Sequence, residues 1–234
     1  MNNEEYLEYI KKKYLEYIET LSKETAINSY LDLTNMFHWQ DVLGWRFRIE
    51  DVISQLLNLP NIKEVKVYYG FNERDKINSE VFHNRIRKSG AILRTKPVKF
   101  IRKTISEALF FKKPTMTLFD GKIKNKIYEL IKTIQGAGIV IEEPKCNFDA
   151  EITMDMIDDI EKITAVILFS GDSDLKAPLE RLKVKGKRIY VVGVRGMVST
   201  ELHQVKDEYI DFGKFYQGKK TYIKSENPAF GGTA

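Results

Sequence analysis

Hydrophobic and polar positions repeat with two different periods along this chain of 234 residues. Residues 4–21 set Leu7, Ile10, Tyr14, Tyr17 with Ile18, and Leu21 three or four apart, the stripe of an amphipathic helix whose other faces are Glu and Lys. Ala26 to Leu33 then reads as a strand running out at Asp32-Leu33-Thr34-Asn35. An aromatic loop is expected next, carrying Phe37, His38, Trp39, Trp45 and Phe47. Ile49, Val52, Ile53, Leu56 and Leu57 predict a helix over 49–57. Strands over 64–69 and 91–95 flank a basic helix from Ser79 to Lys88, which ends at Gly90.

From 96 to 134 the pattern blurs. Ser106 to Phe111 is apolar, Pro114 interrupts it, Asp120-Gly121 is a turn and Lys122 to Ile134 has helical spacing. This stretch reads as a basic insertion without a core of its own. Gly138 to Ile141 predicts a short strand, and Asp149 leads into a helix over Ile152, Met156, Ile157 and Ile160. Ala165 to Phe169 is an apolar run typical of a strand buried on both faces. After Ser170-Gly171-Asp172-Ser173-Asp174, the residues Leu175, Leu179 and Leu182 form the next helical stripe. Pro178 falls in its first turn, where no backbone bond is lost. Gly186 stops that helix and Arg188 to Val192 is a second buried strand, which completes a βαβ unit. Ser199 caps a short helix, Tyr209 to Phe212 is a last edge strand, and an arm or tail is expected from Gly213.

Strands alternating with helices give an α/β fold with a mainly parallel sheet. Its parts are an N-terminal helix over 1–24, a main domain over 25–212 and the tail over 213–234. The N-terminal helix is either a flap on the core or the contact of a homodimer. The composition is that of an ordinary globular chain, 43% hydrophobic and 30% charged, and no apolar run approaches the ~18 residues of a membrane span. The first residues, with Glu4, Glu5 and Glu8, lack the character of a signal peptide. One cysteine, Cys146, excludes an internal disulfide and fits a reducing cytoplasm. The three histidines have no metal-ligand spacing, which argues against zinc.

Charge is distributed unevenly around a net +5. Between Glu80 and Glu107 there is no carboxylate, and the span holds Arg85, Arg87, Lys88, Arg94, Lys96, Lys99, Arg102 and Lys103. From Glu142 to Glu161 the sign reverses, with Glu142, Glu143, Asp149, Glu151, Asp155, Asp158, Asp159 and Glu161 facing only Lys145. Such a pair of blocks suits either a polyanion held near metal-binding carboxylates or an unevenly charged solvated surface. Under the first reading Arg94, Lys96, Lys99, Arg102 and Lys103 grip phosphates. Trp39, Trp45 and Phe47 either stack bases or belong to the core.

The carboxyl ends of parallel strands bind ligands, and Asp172 and Asp174 follow such an end directly. One of them can cap the following helix. Two anions together are most readily kept where a cation neutralises them, and hard cations prefer oxygen ligands. Asp32 also ends a strand, and Asp149 begins a helix at the same edge. Asp155, six residues on and about 240° round a helix, cannot share a face with Asp149 if the helix includes both. No competing nucleophile or phosphate-binding loop is present.

Leu31-Asp32-Leu33-Thr34-Asn35, Lys145-Cys146-Asn147-Phe148-Asp149 on to Asp155-Met156, and Phe169-Ser170-Gly171-Asp172-Ser173-Asp174-Leu175 resemble the NYN domain family of PIN-like nucleases. Gly186-Lys187 and Ser199 to Leu202, with Asp207 beyond, are similar too, so the resemblance covers roughly residues 26–212. It implies a PIN-like, Rossmann-like three-layer sandwich of strand order 3-2-1-4-5. It also implies a centre holding Mg²⁺ or Mn²⁺ through Asp32, Asp149, Asp172 and Asp174, with Asn35 beside them and Asp155 as a further catalytic candidate. The activity implied is that of a metal-dependent nuclease acting on RNA. The alternatives are a catalytically silent RNA- or protein-binding module on the same fold, and a Toprim-like domain. The last is disfavoured because Asp32 stands where a glutamate is expected. Thr34 departs from the family's usual glycine, and the insertion at 96–134 is long.

Overall fold

The computed structural model describes residues 2–104, 121–136 and 140–226. The sequence expectations for Ser106 to Phe111, Pro114, Asp120, Gly138 and Pro228 onward lie outside them. Eight strands run in chain order as β1 Ile27–Asp32, β2 Ile62–Tyr68, β3 Ile92–Arg94, β4 Lys99–Thr104, β5 Val140–Lys145, β6 Ala165–Phe169, β7 Arg188–Gly193 and β8 Glu208–Asp211. The helices are α1 Asn3–Ser22, α2 Leu33–Leu43, α3 Ile49–Leu57, α4 Lys76–Lys88, α5 Gly121–Gly136, α6 Asp149–Asp158, α7 Lys176–Val184, α8 Thr200–Val205 and α9 Phe212–Glu226. Single 3₁₀ turns at Glu73–Asp75 and Ser173–Leu175 lead into α4 and α7.

The fold divides into two compact units, residues 1–96 with 147–234, and residues 97–146. The first is an α/β sandwich on a six-stranded sheet of order β3-β2-β1-β6-β7-β8. All five pairings are parallel. The expected 3-2-1-4-5 order differs in detail. The strands between β3 and β6 belong to a separate sheet, and β8 extends the main one. Side chains alternate along each strand between the two faces. Ile27 and Leu31, Val65 and Val67, Ile167 and Phe169, and Tyr190 and Val192 turn to one face, and form one core with residues of α1, α2, α3 and α9. Leu179 and Leu182 of α7, Ile152 and Met156 of α6, and Leu202 and Val205 of α8 are buried outside that cluster, with Val166 and Leu168 of β6. Helices thus cover both faces. Among the described residues no helix is long and apolar enough to cross a membrane.

Two segments differ from the sequence reading. The expected aromatic loop after β1 is largely the helix α2. Asp32 Oδ1 accepts the Asn35 N–H at 3.1 Å, which caps its first turn, and Gly44 closes it in the left-handed region at φ 69°. Trp39 is fully buried and Phe47 nearly so, both packed on Phe212, while Trp45 stacks on Tyr216 at 5.4 Å. These three rings belong to the core.

The expected tail instead forms α9 as far as Glu226, with Phe215 and Tyr216 buried. It lies on α1 of the same chain, whose Ile10, Tyr14 and Leu21 are buried. Gly218 permits that approach, because a Cβ there would run into the Tyr14 side chain and sit 3.1 Å from the Ile10 carbonyl oxygen.

The second unit corresponds to the expected insertion, and it has structure of its own. β4 and β5 pair antiparallel, with Arg102 opposite Glu142 and Lys103 next to it. Arg102 bonds Glu142 at 3.3 Å, and Lys103 bonds Glu143. The basic and acidic blocks here neutralise each other across a strand pair.

Candidate metal centre

Three of the predicted acids meet. Asp149, Asp172 and Asp174 each offer a carboxylate oxygen, all within 4.8 Å of one another. Local backbone bonds set them there. Asp172 follows β6 and its Oδ1 accepts the Asp174 N–H at 3.0 Å, so the capping role and the cluster role fall to the same residue. Asp149 opens α6, and Asn147 holds it from both sides. Asn147 Oδ1 accepts the Asp149 N–H at 2.7 Å, while Asn147 Nδ2 donates to Asp149 Oδ2 at 2.5 Å.

Asp32 is the fourth acid, reached through a serine. Ser170 Oγ donates to Asp32 Oδ2 at 3.2 Å and accepts the Asp172 N–H at 3.2 Å. Burial pushes the Asp32 carboxyl up to about 6, and the charges of Asp149 and Asp172 add to the effect against the bonds from Asn35 and Ser170. Burial also raises Asp149, with Asp172 and Asp174 contributing; Asn147 and Lys96 oppose it. Asn35 shapes the loop by another route. Its Oδ1 accepts from Trp39 Nε1 at 3.1 Å and from the Gly171 N–H at 3.0 Å, which ties α2 to the β6 turn. Gly171 is obligatory there, since a Cβ would run into the Met197 carbonyl oxygen.

Asp155 is elsewhere. Its Oδ2 accepts from Tyr68 Oη at 2.7 Å and from Arg94 Nε at 2.9 Å, and its Oδ1 accepts from Arg94 Nη2 at 2.8 Å. Burial acts to raise Asp155, but the Arg94 and Tyr68 bonds prevail and hold it below the usual carboxylate range. Four of the five predicted phosphate-gripping residues are likewise engaged by carboxylates. Arg94 is held partly by Asp155, and Lys96 bonds Glu151 at 2.5 Å with its ammonium 4.6 Å from the Phe148 ring centre. Arg102 and Lys103 face Glu142 and Glu143, and Lys99 stands opposite Lys145. Ser170 and Asn147 went unrecognised in the sequence. Each stands within two residues of a predicted acid, but single polar residues in a loop carry no periodic signal.

The three-acid donor set suits a hard divalent cation. Only carboxylate oxygens converge, and two oxygens on opposite sides of Mg²⁺ at ~2.1 Å lie about 4.2 Å apart. That is close to the 4.8 Å limit observed, within reach of side-chain rotation.

Residues 104–213 match the NYN domain family. Close to half of the chain is thus similar to an NYN domain. The match includes Asp149, Asp172 and Asp174 but begins after Asp32. A longer likeness spans most of the chain. The chain is 27% identical over 200 residues to the "Low amplitude and bright protein LabA" of Synechococcus elongatus, covering 85% of this chain and 88% of that one. Among solved structures, a protein of unknown function, VPA0982, from Vibrio parahaemolyticus has a TM-score of 0.55 at 19% identity. That likeness covers 81% of this chain and 93% of the other, and shows a shared fold. The likeness to an NYN domain points to a PIN-like nuclease fold, and the acidic cluster of this chain sits at the carboxyl edge of the parallel sheet.

Proposed function

We propose that this protein is a metal-dependent nuclease that hydrolyses phosphodiester bonds of RNA. The observation that supports this most is the meeting of Asp149, Asp172 and Asp174 at the sheet's carboxyl edge. These three would hold Mg²⁺ or Mn²⁺, with Asp32 beside them. When bound, such an ion activates water and relieves charge on the phosphoryl oxygens.

The chain's own residues supply the rest. Asn147 orients the Asp149 carboxylate, and Ser170 fixes Asp32 relative to Asp172. Asp32, held beside the three acids by Ser170, takes the proton of the attacking water. Lys96, whose field reaches Asp149, meets the phosphate next to the scissile bond. Arg94 gives two of its five donors to Asp155 and is about half exposed, so its outer N–H groups can hold a second phosphate. Lys99 adds to the grip, as do Arg102 and Lys103, because surface ion pairs such as those of the last two are worth only ~0–1 kcal/mol and yield to a polyanion. A single cysteine suits work in the cytoplasm.

The test is a gel with single-stranded RNA, duplex RNA and single-stranded DNA, each incubated with Mn²⁺, Mg²⁺ or EDTA. Cleavage of RNA with Mn²⁺ or Mg²⁺ and none with EDTA is expected. Intact RNA in every lane, with the chain still binding it, would make the domain a silent RNA-binding module.

A further inference from the structure

Behind the acidic cluster, on the same face of the sheet, lies a second group of charges. Lys66 of β2 is 4% exposed and Asp159, just past α6, is 3% exposed. Lys66 Nζ bonds Asp159 Oδ2 at 2.5 Å and lies 3.8 Å from Asp155 Oδ1. Asp159 Oδ2 also accepts from Tyr30 Oη and from Asn28 Nδ2, each at 2.8 Å. Asp155 accepts from Tyr68 and Arg94, as above. Strands β1, β2 and β3 therefore each send a donor to two carboxylates four residues apart on one helical face. Burial acts against both ions. The bonds nevertheless hold Asp159 below its ordinary value and Lys66 above its own.

Such a network is a poor way to gain stability. Desolvating buried charges offsets most of their attraction, and a well-packed apolar contact of the same volume does as well or better. What it adds is direction. Apolar side chains such as Ile152 and Met156 let a helix slide or rotate on a sheet, whereas bonds of 2.5–2.9 Å at Asp155 and Asp159 fix its height and its rotation. The element so fixed is α6, and its first residue is Asp149. Asp172 and Asp174 come from the β6 turn, a different element, so the spacing of the three acids depends on where α6 sits.

We propose that the Lys66–Asp155–Asp159 network, with Tyr68 and Arg94, is a positioning device that sets Asp149 against Asp172 and Asp174. This rests on the reading of those three acids as a cation site. Apart from Arg94, whose outer donors are left for substrate, the network residues touch neither ion nor substrate; they act through the helix.

The experiment is a Mn²⁺ titration of the full chain by calorimetry, with thermal melts of the same samples in EDTA. The variants are Asp155→Asn, the milder Tyr68→Phe, and Val166→Ala as a control for stability alone. Residues that orient metal ligands typically contribute 10–100-fold in affinity. Asp155→Asn is expected to weaken Mn²⁺ binding about 10-fold, the low end of that range, and Tyr68→Phe, which keeps both Arg94 bonds, by about 3-fold, below it. Val166→Ala, which removes buried volume from β6, should lower the melting temperature while leaving Mn²⁺ affinity unchanged. If Asp155→Asn does not fold, Tyr68→Phe decides. Unchanged Mn²⁺ affinity in the folded network variants, or an equal loss in Val166→Ala, overturns the positioning role and leaves the cation site standing. Failure of the unaltered chain to bind Mn²⁺ overturns the cation site and this inference with it.

Discussion

Arg94 holds Asp155 in a two-pronged bond, Nε to Oδ2 at 2.9 Å and Nη2 to Oδ1 at 2.8 Å. The sequence offers the first of these as a phosphate ligand and the second as a catalytic acid. Their pairing has consequences for both. Asp155 is removed from the acids available to a cation, and Arg94 is left with its outer donors only. The same relation recurs at Lys96 with Glu151, Arg102 with Glu142 and Lys103 with Glu143. Four cations of the basic block thus meet four carboxylates of the acidic block, within the two units separately.

Asp32 makes stability depend on pH in a specific direction. Its folded value of about 6 lies above its ordinary 3.8, so between those values the folded chain holds a proton that the unfolded chain has lost. Stability without metal should therefore fall as pH rises from about 4 to 6, by roughly 2 kcal/mol from this group alone. Denaturant melts across that range in EDTA, with Asp32→Asn as reference, check it. The variant should lose that part of the slope.

Asp172→Asn should abolish metal-dependent cleavage and leave the fold intact or more stable. Asparagine keeps an Oδ1 to accept the Asp174 N–H, and it removes one anion from a crowded group. A melt in EDTA beside a cleavage assay tests both halves. A loss of several degrees in melting temperature would mark Asp172 as structural.

The strands and the acids were legible because they follow local rules. The runs 165–169 and 188–193 are apolar almost throughout, and Asp32, Asp172 and Asp174 stand where such runs end. Asp155 was not legible, since Arg94 and Tyr68 lie 61 and 87 residues away from it and only the folded sheet brings them together. The helix α9 was hidden because an arm or tail was expected from Gly213. Gly218, within that helix, is the place where two helices touch. The strand β5 was expected to end at Ile141, but it continues through Pro144 to Lys145, which is tolerated because among the described residues the sheet has two strands, each an edge.

The C-terminal helix should therefore matter to stability. Phe215 is 1% exposed and packs on Tyr14 and Phe169. Phe215→Ala should cost about 3–5 kcal/mol in a denaturant melt, as for other buried aromatics. A change under about 1 kcal/mol would return this segment to the status of an arm.

Neutralising Lys99, Arg102 and Lys103 together should weaken RNA binding at all sequences alike. It should also flatten the dependence on salt, by ~0.7 for each phosphate of a single strand that is no longer neutralised. Binding measured at several salt concentrations decides. An unchanged slope would confine Arg102 and Lys103 to pairing with Glu142 and Glu143, and Lys99 to a solvated face.

The central claim is that Asp149, Asp172 and Asp174 share a divalent ion. The most direct measurement is an anomalous difference map from a crystal soaked in Mn²⁺, collected near the manganese edge. A peak is expected between the three carboxylates, with Mn–O distances of about 2.2 Å. A map without a peak there, or with its peaks only at other carboxylates, would contradict the account.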